Sequence, residues 1–350
     1  MSNYLILSCD GGGIRGYLSS LLLQQLNKDL GIFGTNNQNI NLYAGTSTGG
    51  LIALSLAQGK SIDDIVNLYA NDAKYIFTPL GWQASCLLPS ATDLGGLSDV
   101  KEFWQVLYDN IGTQSVRSVI ENFIPGNPLL SSLANNVMVA TFQLDVDGSS
   151  SSTMCENPSK QSWRPLVIDN FAGSTGASTY LYDAALSTSA APVYFPPYNH
   201  PTFGWCSDGG LFANNPAPLA IANAIGAGQS LSNIVMLSIG TGLTDAALPV
   251  DDNRLCFGLK YWVWFETSGP TPPFPLLNGM MDGVSASNDW VSSQLLGTRY
   301  LRVNPTLSKT IALDDYSPAA MEMLKKAAED YIACPEWNDV TTWVKNTFQP

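Results

Sequence analysis

The chain has 350 residues and a formal charge of −13; it is 45% hydrophobic but only 13% charged, against the ~25% usual for globular domains. Its length supports a large core. Its acidity excludes nucleic-acid binding and electrostatic docking on anionic membranes, both of which need clustered Lys and Arg.

Tyr4 to Ser8 reads as a short buried strand, and Leu18, Leu21, Leu22 and Leu26 recur at helical spacing across Tyr17–Leu30. Leu42 to Ala44 is a second strand, followed by a small-residue helix from Leu51 to Ala57. Ser61, Asp63 and Asp64 cap and start a helix whose apolar face holds Ile65, Leu68 and Tyr69. Tyr75 to Gly96 abandons periodicity and is rich in apolar residues. It fits a packed connection or a flap over a lipid site.

Ser98–Asn110 and Ser115–Phe123 read as helices, Val137–Phe142 as a buried strand and Asp147–Lys160 as a surface loop. Pro165–Ile168 is a further strand and Tyr182–Ser187 a short helix. Trp205 to Ser207 leads into Asp208-Gly209-Gly210, and Pro216–Ala227 is an alanine-rich helix. Ile234–Ile239 and Tyr300–Val303 are strands, and helices are expected near Val284–Leu296, Pro318–Tyr331 and Glu336–Lys345. Tyr261 to Met281, rich in Trp, Phe and Pro, is a second candidate for an apolar rim. Alternating strands and helices predict an α/β fold, a mainly parallel sheet covered on both faces. With no repeat and no linker, residues 1–350 are expected to form one domain.

The six cysteines, Cys9, Cys86, Cys155, Cys206, Cys256 and Cys334, are too scattered for a metal knuckle and read as free thiols. No secretory signal is visible, and the longest uncharged run is broken by prolines, so no transmembrane segment and a cytoplasmic location are expected. No His, Cys and carboxylate set has metal-ligand spacing, so no metal and no cofactor is expected.

Chemistry concentrates in two strand–turn–helix stretches. In the first, Asp10-Gly11-Gly12-Gly13-Ile14-Arg15-Gly16, consecutive glycines present backbone amides at a helix start, a natural anion site. Asp10 is expected to pin that loop by hydrogen bonding, and Arg15 to hold it or steady an anion. A dinucleotide site would need an acidic residue at the end of the second strand. That strand ends instead in Gly45-Thr46-Ser47-Thr48-Gly49, a Gly-x-Ser-x-Gly in the setting of a nucleophile elbow. Together they suggest acyl transfer, with a nucleophile facing an oxyanion hole.

A serine nucleophile needs a base, and His200 is the only histidine. It stands in Pro197-Tyr198-Asn199-His200-Pro201, the context of an exposed loop. Asp208 stands before Gly209 and Gly210, where a turn can expose its carboxylate. The base is His200 or an aspartate; the latter works only if burial raises its pKa or it is held against the hydroxyl.

Asp10-Gly-Gly-Gly-Ile-Arg-Gly16, Gly45-Thr-Ser-Thr-Gly49, Ser189-Ala-Ala-Pro-Val-Tyr-Phe-Pro-Pro197 and Asp208-Gly-Gly-Leu-Phe-Ala-Asn-Asn-Pro216 stand in that order. Together they resemble the patatin-like phospholipase family, as do the later Leu237–Gly242 and Gln294–Arg302. The resemblance covers about Tyr4 to Asn304, leaving a helical part from 305 to 350. It implies a three-layer α/β/α lipid acyl hydrolase. Ser47 would be the nucleophile, Asp208 the base, and the amides of Gly11, Gly12 and Gly13 the oxyanion hole. Asp10, Arg15 and Gly16 would support that loop, with Gly45, Gly49, Gly209 and Gly210 as elbow and turn glycines. The implied partner is a lipid substrate met at a membrane or micelle surface. A latent effector or storage protein, switched on by a partner or ligand, would carry the same residues.

Overall fold

The computed structural model describes residues 2–76, 119–145, 163–192, 194–247, 262 and 274–349. Among them the strands are β1 (Tyr4–Cys9), β2 (Leu42–Thr46), β3 (Asn136–Asp145), β4 (Arg164–Asp169), β5 (Tyr198–His200), β6 (Gly204–Asp208), β7 (Ile234–Ile239) and β8 (Tyr300–Val303). The α-helices are α1 (Gly16–Leu30), α2 (Thr48–Ala57), α3 (Ile62–Ile76), α4 (Leu181–Thr188), α5 (Gly210–Ala213), α6 (Ala217–Gly226), α7 (Pro275–Leu296), α8 (Pro318–Ile332) and α9 (Pro335–Thr347). Most of Tyr75–Gly96, all of Ser98–Asn110 and Asp147–Lys160, and most of Tyr261–Phe274 lie outside the described residues.

The strands form one sheet in the order β5-β6-β3-β2-β1-β7-β8, with β4 also paired to β3. From β3 to β8 the pairings are parallel, while β4, β5 and β6 join antiparallel. Alternation along the strands divides the core into two layers. Leu5, Leu7, Val235, Leu237 and Ile239 face the larger cluster with α1, α2, α3, α8 and α9. Ile6, Met236, Leu42, Ala44 and Met138 face the smaller cluster, where α6 packs through Ala217, Ala220, Ile221 and Ala224. This is the three-layer α/β/α arrangement.

β3 sets the geometry that matters most. Its Ala140 pairs with Thr46, the last residue of parallel β2. The next residue, Thr141, pairs with Asp208, the last residue of antiparallel β6. The two strands therefore end against consecutive residues of one template, and Ser47 and Asp208 meet there.

Two expectations change. Tyr198–His200 is a strand, not a loop, and its ladder pairs His200 with Gly204. The two prolines fit because they flank a strand at the sheet's edge, where a missing donor costs nothing. The second expected rim is also partly helix: α7 begins at Pro275, a residue suited to a first helical turn.

Close approach of backbones explains the elbow glycines. A β-carbon on Gly45 would stand 2.1 Å from the Gly49 carbonyl oxygen, and one on Gly49 would stand 2.2 Å from that of Cys9. Gly49→Ala is expected to cost about 3 kcal/mol or more in stability, because backbone on both sides would have to move. Gly226→Ala, at the end of α6 with nothing within 4 Å, is expected to be neutral or to gain up to ~1 kcal/mol. Chemical denaturation of the two variants checks the pair.

Candidate active site

Ser47 sits between β2 and α2 with φ 55° and ψ −125°, a left-handed backbone that few side chains adopt. Such a residue costs of order 1–3 kcal/mol and persists only where its surroundings hold it. Here the Ser47 N–H donates to Thr188 Oγ1 at 3.0 Å, and that hydroxyl donates to the Ala140 carbonyl at 2.6 Å. The Thr46 hydroxyl donates to the Ala213 carbonyl at 2.6 Å, tying the elbow to the turn after Asp208. On the far side, the Thr48 hydroxyl bonds the buried Tyr69 hydroxyl.

Asp208 is 2% exposed. Its N–H donates to the Ala190 carbonyl at 2.9 Å, and its Oδ1 accepts the Gly210 N–H at 2.6 Å. Burial pushes its pKa up to about 7, while the nearby Ser47 hydroxyl and the Gly210 amide pull the other way. Ser47 thus lies near enough to stabilise the carboxylate, yet Oδ2 accepts no hydrogen bond of good geometry from the described residues. Catalytic hydrogen bonds are often long before substrate binds. Gly209 is required beside it, because a β-carbon there would stand 2.4 Å from the Ala140 carbonyl oxygen.

His200 is buried rather than exposed, which corrects the loop reading. Its Nδ1 accepts the N–H groups of Thr202 at 3.0 Å and Phe203 at 3.2 Å, and its ring lies 4.6 Å from that of Phe203. Burial lowers its pKa to about 4. It pairs with Gly204, at the opposite end of β6 from Asp208, roughly 13 Å away at ~3.3 Å per residue.

The glycine loop is held from three sides. The Gly11 N–H donates to the Asn214 carbonyl at 2.9 Å, the Ile14 N–H to the Leu313 carbonyl at 2.8 Å, and the Arg15 N–H to the Gly12 carbonyl at 3.1 Å. Gly11 therefore has no free N–H for an anion. Between these anchors the Gly12 and Gly13 amides have no acceptor among the described residues, and both glycines line the pocket beside Ser47. Gly13 has φ +59°, and a β-carbon on it would stand 2.1 Å from the Leu313 carbonyl oxygen. Gly16 is equally confined, with its β-carbon position 2.3 Å from Thr48 Oγ1.

Asp10 is held by Arg302, not by the loop that follows it. Arg302 Nη1 donates to Asp10 Oδ1 at 2.7 Å and to Ser238 Oγ at 2.8 Å, while Nη2 completes a bidentate ion pair. Burial pushes the Asp10 pKa up and the guanidinium opposes that; Arg302, though desolvated, is raised by facing Asp10. Arg15 is buried as well, with Nε donating to the Gly12 carbonyl at 3.3 Å. Burial lowers its pKa, against the carboxylate of Asp282, the hydroxyl of Tyr194 and Asp10. Arg302, Thr188 and Asn214 carry this support, and motif reading singled out none of them for it. The signal for Arg302 was a cation inside the apolar run Tyr300–Val303.

These groups open on a pocket. Gly12, Gly13, Ser47 and Asp208 supply its polar end, and Leu51, Ile76, Phe195, Met281 and Leu313 its apolar walls. Of the two expected rims, Ile76 lines this pocket, and Phe274 packs edge-on against the pocket residue Tyr194 at 5.9 Å. Among the described residues no group of three or more His, Cys, Asp or Glu could hold a metal ion. Nor is any helix among them long and apolar enough to cross a membrane.

The chain is similar to protein teg of Priestia megaterium, at 28% identity over 88% of this chain and 89% of that protein. The putative sporulation hydrolase CotR of Bacillus subtilis is 27% identical over 93% and 95%. A cGAMP-activated phospholipase of Escherichia coli is 28% identical over 69% and 63%. The crystal structure of VipD from Legionella pneumophila aligns with 94% of this chain and 67% of its own, at 13% identity and a TM-score of 0.41. Residues 7–221, more than half of the chain and the part that holds the glycine loop, the elbow and Asp208, match the family model described as patatin-like phospholipase. The protein belongs to the patatin-like phospholipase family.

Proposed function

We propose that this protein is a serine acyl hydrolase that cleaves fatty-acyl esters of phospholipids or related lipids through Ser47 and Asp208. The observation that carries the reading is the meeting of β2 and β6 on consecutive residues of β3, which sets a strained serine beside a buried carboxylate at one end of a pocket. Asp208 takes the Ser47 proton as Oγ attacks the acyl carbonyl. The oxyanion falls to the free amides of Gly12 and Gly13, and the alcohol leaves with the proton from Asp208. Water, deprotonated by Asp208, then releases the fatty acid. A carboxylate is usually too weak a base for this work, and a pKa near 7 removes that objection.

An interfacial substrate fits the surface around the pocket. Leu276 and Met280, one turn apart on α7, are 42% and 48% exposed, while the adjacent Met281 lines the pocket. In a chain of net charge −13, contact with a membrane or micelle would rest on such apolar groups.

Hydrolysis of a soluble short-chain ester tests the dyad. Ser47→Ala and Asp208→Asn are each expected to lower kcat by 10²–10⁴ or more while remaining folded. Activity in the parent is expected to rise with pH through a limb near 7, because the base must be ionised. Asp208 also binds a proton in the native state that the unfolded chain releases near its ordinary ~3.9. Stability of the parent should therefore fall between about pH 4 and 7 and level off above. Asp208→Asn removes the share of that fall due to Asp208, so melting curves across pH should be flatter in the variant. A limb near 4 in the activity profile would instead point to His200.

His200→Asn gives the complementary result. It leaves the Thr202 and Phe203 amides less well satisfied and should lower the melting temperature, yet keep kcat of the folded enzyme within about tenfold.

The glycine loop is tested at Gly12, where a β-carbon would stand 2.3 Å from Thr241 Oγ1 and 2.6 Å from Thr241 Cβ. Gly12→Ala is expected to lose about 10²–10³ in kcat as the amides shift. Adding Thr241→Gly, which removes the clashing atoms, should recover at least tenfold; kcat measured on both variants decides.

A further inference from the structure

Beside the catalytic pocket lies a second, apolar pocket. Leu51 of α2 and Ile76 of α3 line both spaces, so the two adjoin across that pair. The second is walled by Leu54 and Ser55 of α2, Leu68 of α3, Leu181 and Ala185 of α4, and by Val119, Ile120, Phe123 and Ile124. On α2 the lining residues 51, 54 and 55 share one helical face, which starts one turn after the nucleophile. Ser55 is the polar exception among the described lining residues, and its hydroxyl is spent on the Leu51 carbonyl at 2.7 Å.

A cavity with this lining has little to offer water. Apolar pocket walls favour apolar guests over water. The guest that fits must be aliphatic, without polar groups along its length, and able to enter from the catalytic pocket.

We propose that the second cavity holds the far end of the substrate's acyl chain, which passes between Leu51 and Ile76 while its carbonyl lies against Ser47. The inference rests on Ser47 being the nucleophile. Ser55 lies eight residues along α2 from Ser47, ~12 Å at ~1.5 Å per residue. Short acyl chains end in the first pocket, and long ones reach the second. Chain-length preference is then set by Leu54, Leu68, Phe123 and Ala185, none of which lines the catalytic pocket. Each methylene kept out of the second cavity should cost roughly fourfold in kcat/KM.

The test is hydrolysis of monomeric p-nitrophenyl butyrate, octanoate, dodecanoate and palmitate by the full chain and two variants. Ala185→Phe fills the second cavity from α4. Leu68→Trp fills it from a half-buried position on α3 and serves if the first variant does not fold. Either is expected to lower the palmitate-to-butyrate ratio of kcat/KM at least tenfold, while Phe123→Ala shifts the optimum toward longer chains. An unchanged ratio in a folded, filled variant overturns the proposal.

Displacement of a fluorescent polyene fatty acid by palmitate gives a readout that does not need turnover. The parent should bind palmitate at least tenfold more tightly than the filled variant. If the parent binds palmitate in this way but hydrolyses no ester, the assignment of Ser47 fails and the acyl cavity stands. If the parent and the filled variant bind palmitate equally, the cavity assignment fails whatever Ser47 does.

Discussion

The constraint on which the site depends is the double use of β3. One strand serves parallel β2 as far as Ala140 and antiparallel β6 from Thr141 onward. Two segments more than 150 residues apart are thereby brought end to end with a register fixed by backbone hydrogen bonds. A slip of one residue in either pairing would turn Ala44 and Met138, or Cys206, away from their core layers. The core thus polices the site: apolar residues facing the helices hold the strand ends where chemistry needs them.

Around that junction the chain trades space for precision. Gly45 lets the first turn of α2 fold back over it, Gly49 lets that turn lie on the end of β1, and Gly209 lets the Asp208 turn lie on β3. Gly13 lies on the Leu313 carbonyl. Among the described residues, the buried groups left unpaired beside Ser47 include two amides of the glycine loop, Asp208 Oδ2 and Asn214 Oδ1. Buried polar groups without partners are costly, so a cluster of them beside a strained serine marks where stability has been given up for function.

Much of this was legible in the sequence because it is local. β7 and β8 have the bounds that their apolar runs predict, and the elbow and glycine loop stand where strand–turn–helix patterns place them. The misreadings share a cause. Tyr198–His200 carries turn residues but is recruited by Gly204–Asp208, which no local pattern announces. The partner of Asp10 lies 292 residues away and is chosen by the sheet order β1-β7-β8. Gly11, one of three equivalent-looking glycines, is taken out of the anion site by the Asn214 carbonyl. Pattern names the candidates, but hydrogen-bond accounting decides which are free.

The Leu313 carbonyl, which receives the Ile14 N–H and seats Gly13, lies well beyond residues 7–221, as does Arg302. Proteins emerge from the ribosome N-terminal end first and fold in that order. Ser47 and Asp208 can therefore be synthesised and brought together long before the clamp on the glycine loop exists. A nascent chain would own Ser47 and Asp208 but no clamp on the glycine loop until Leu313 has emerged. Order in the glycine loop is then the last feature of the pocket to be set, although its sequence is among the first to be made.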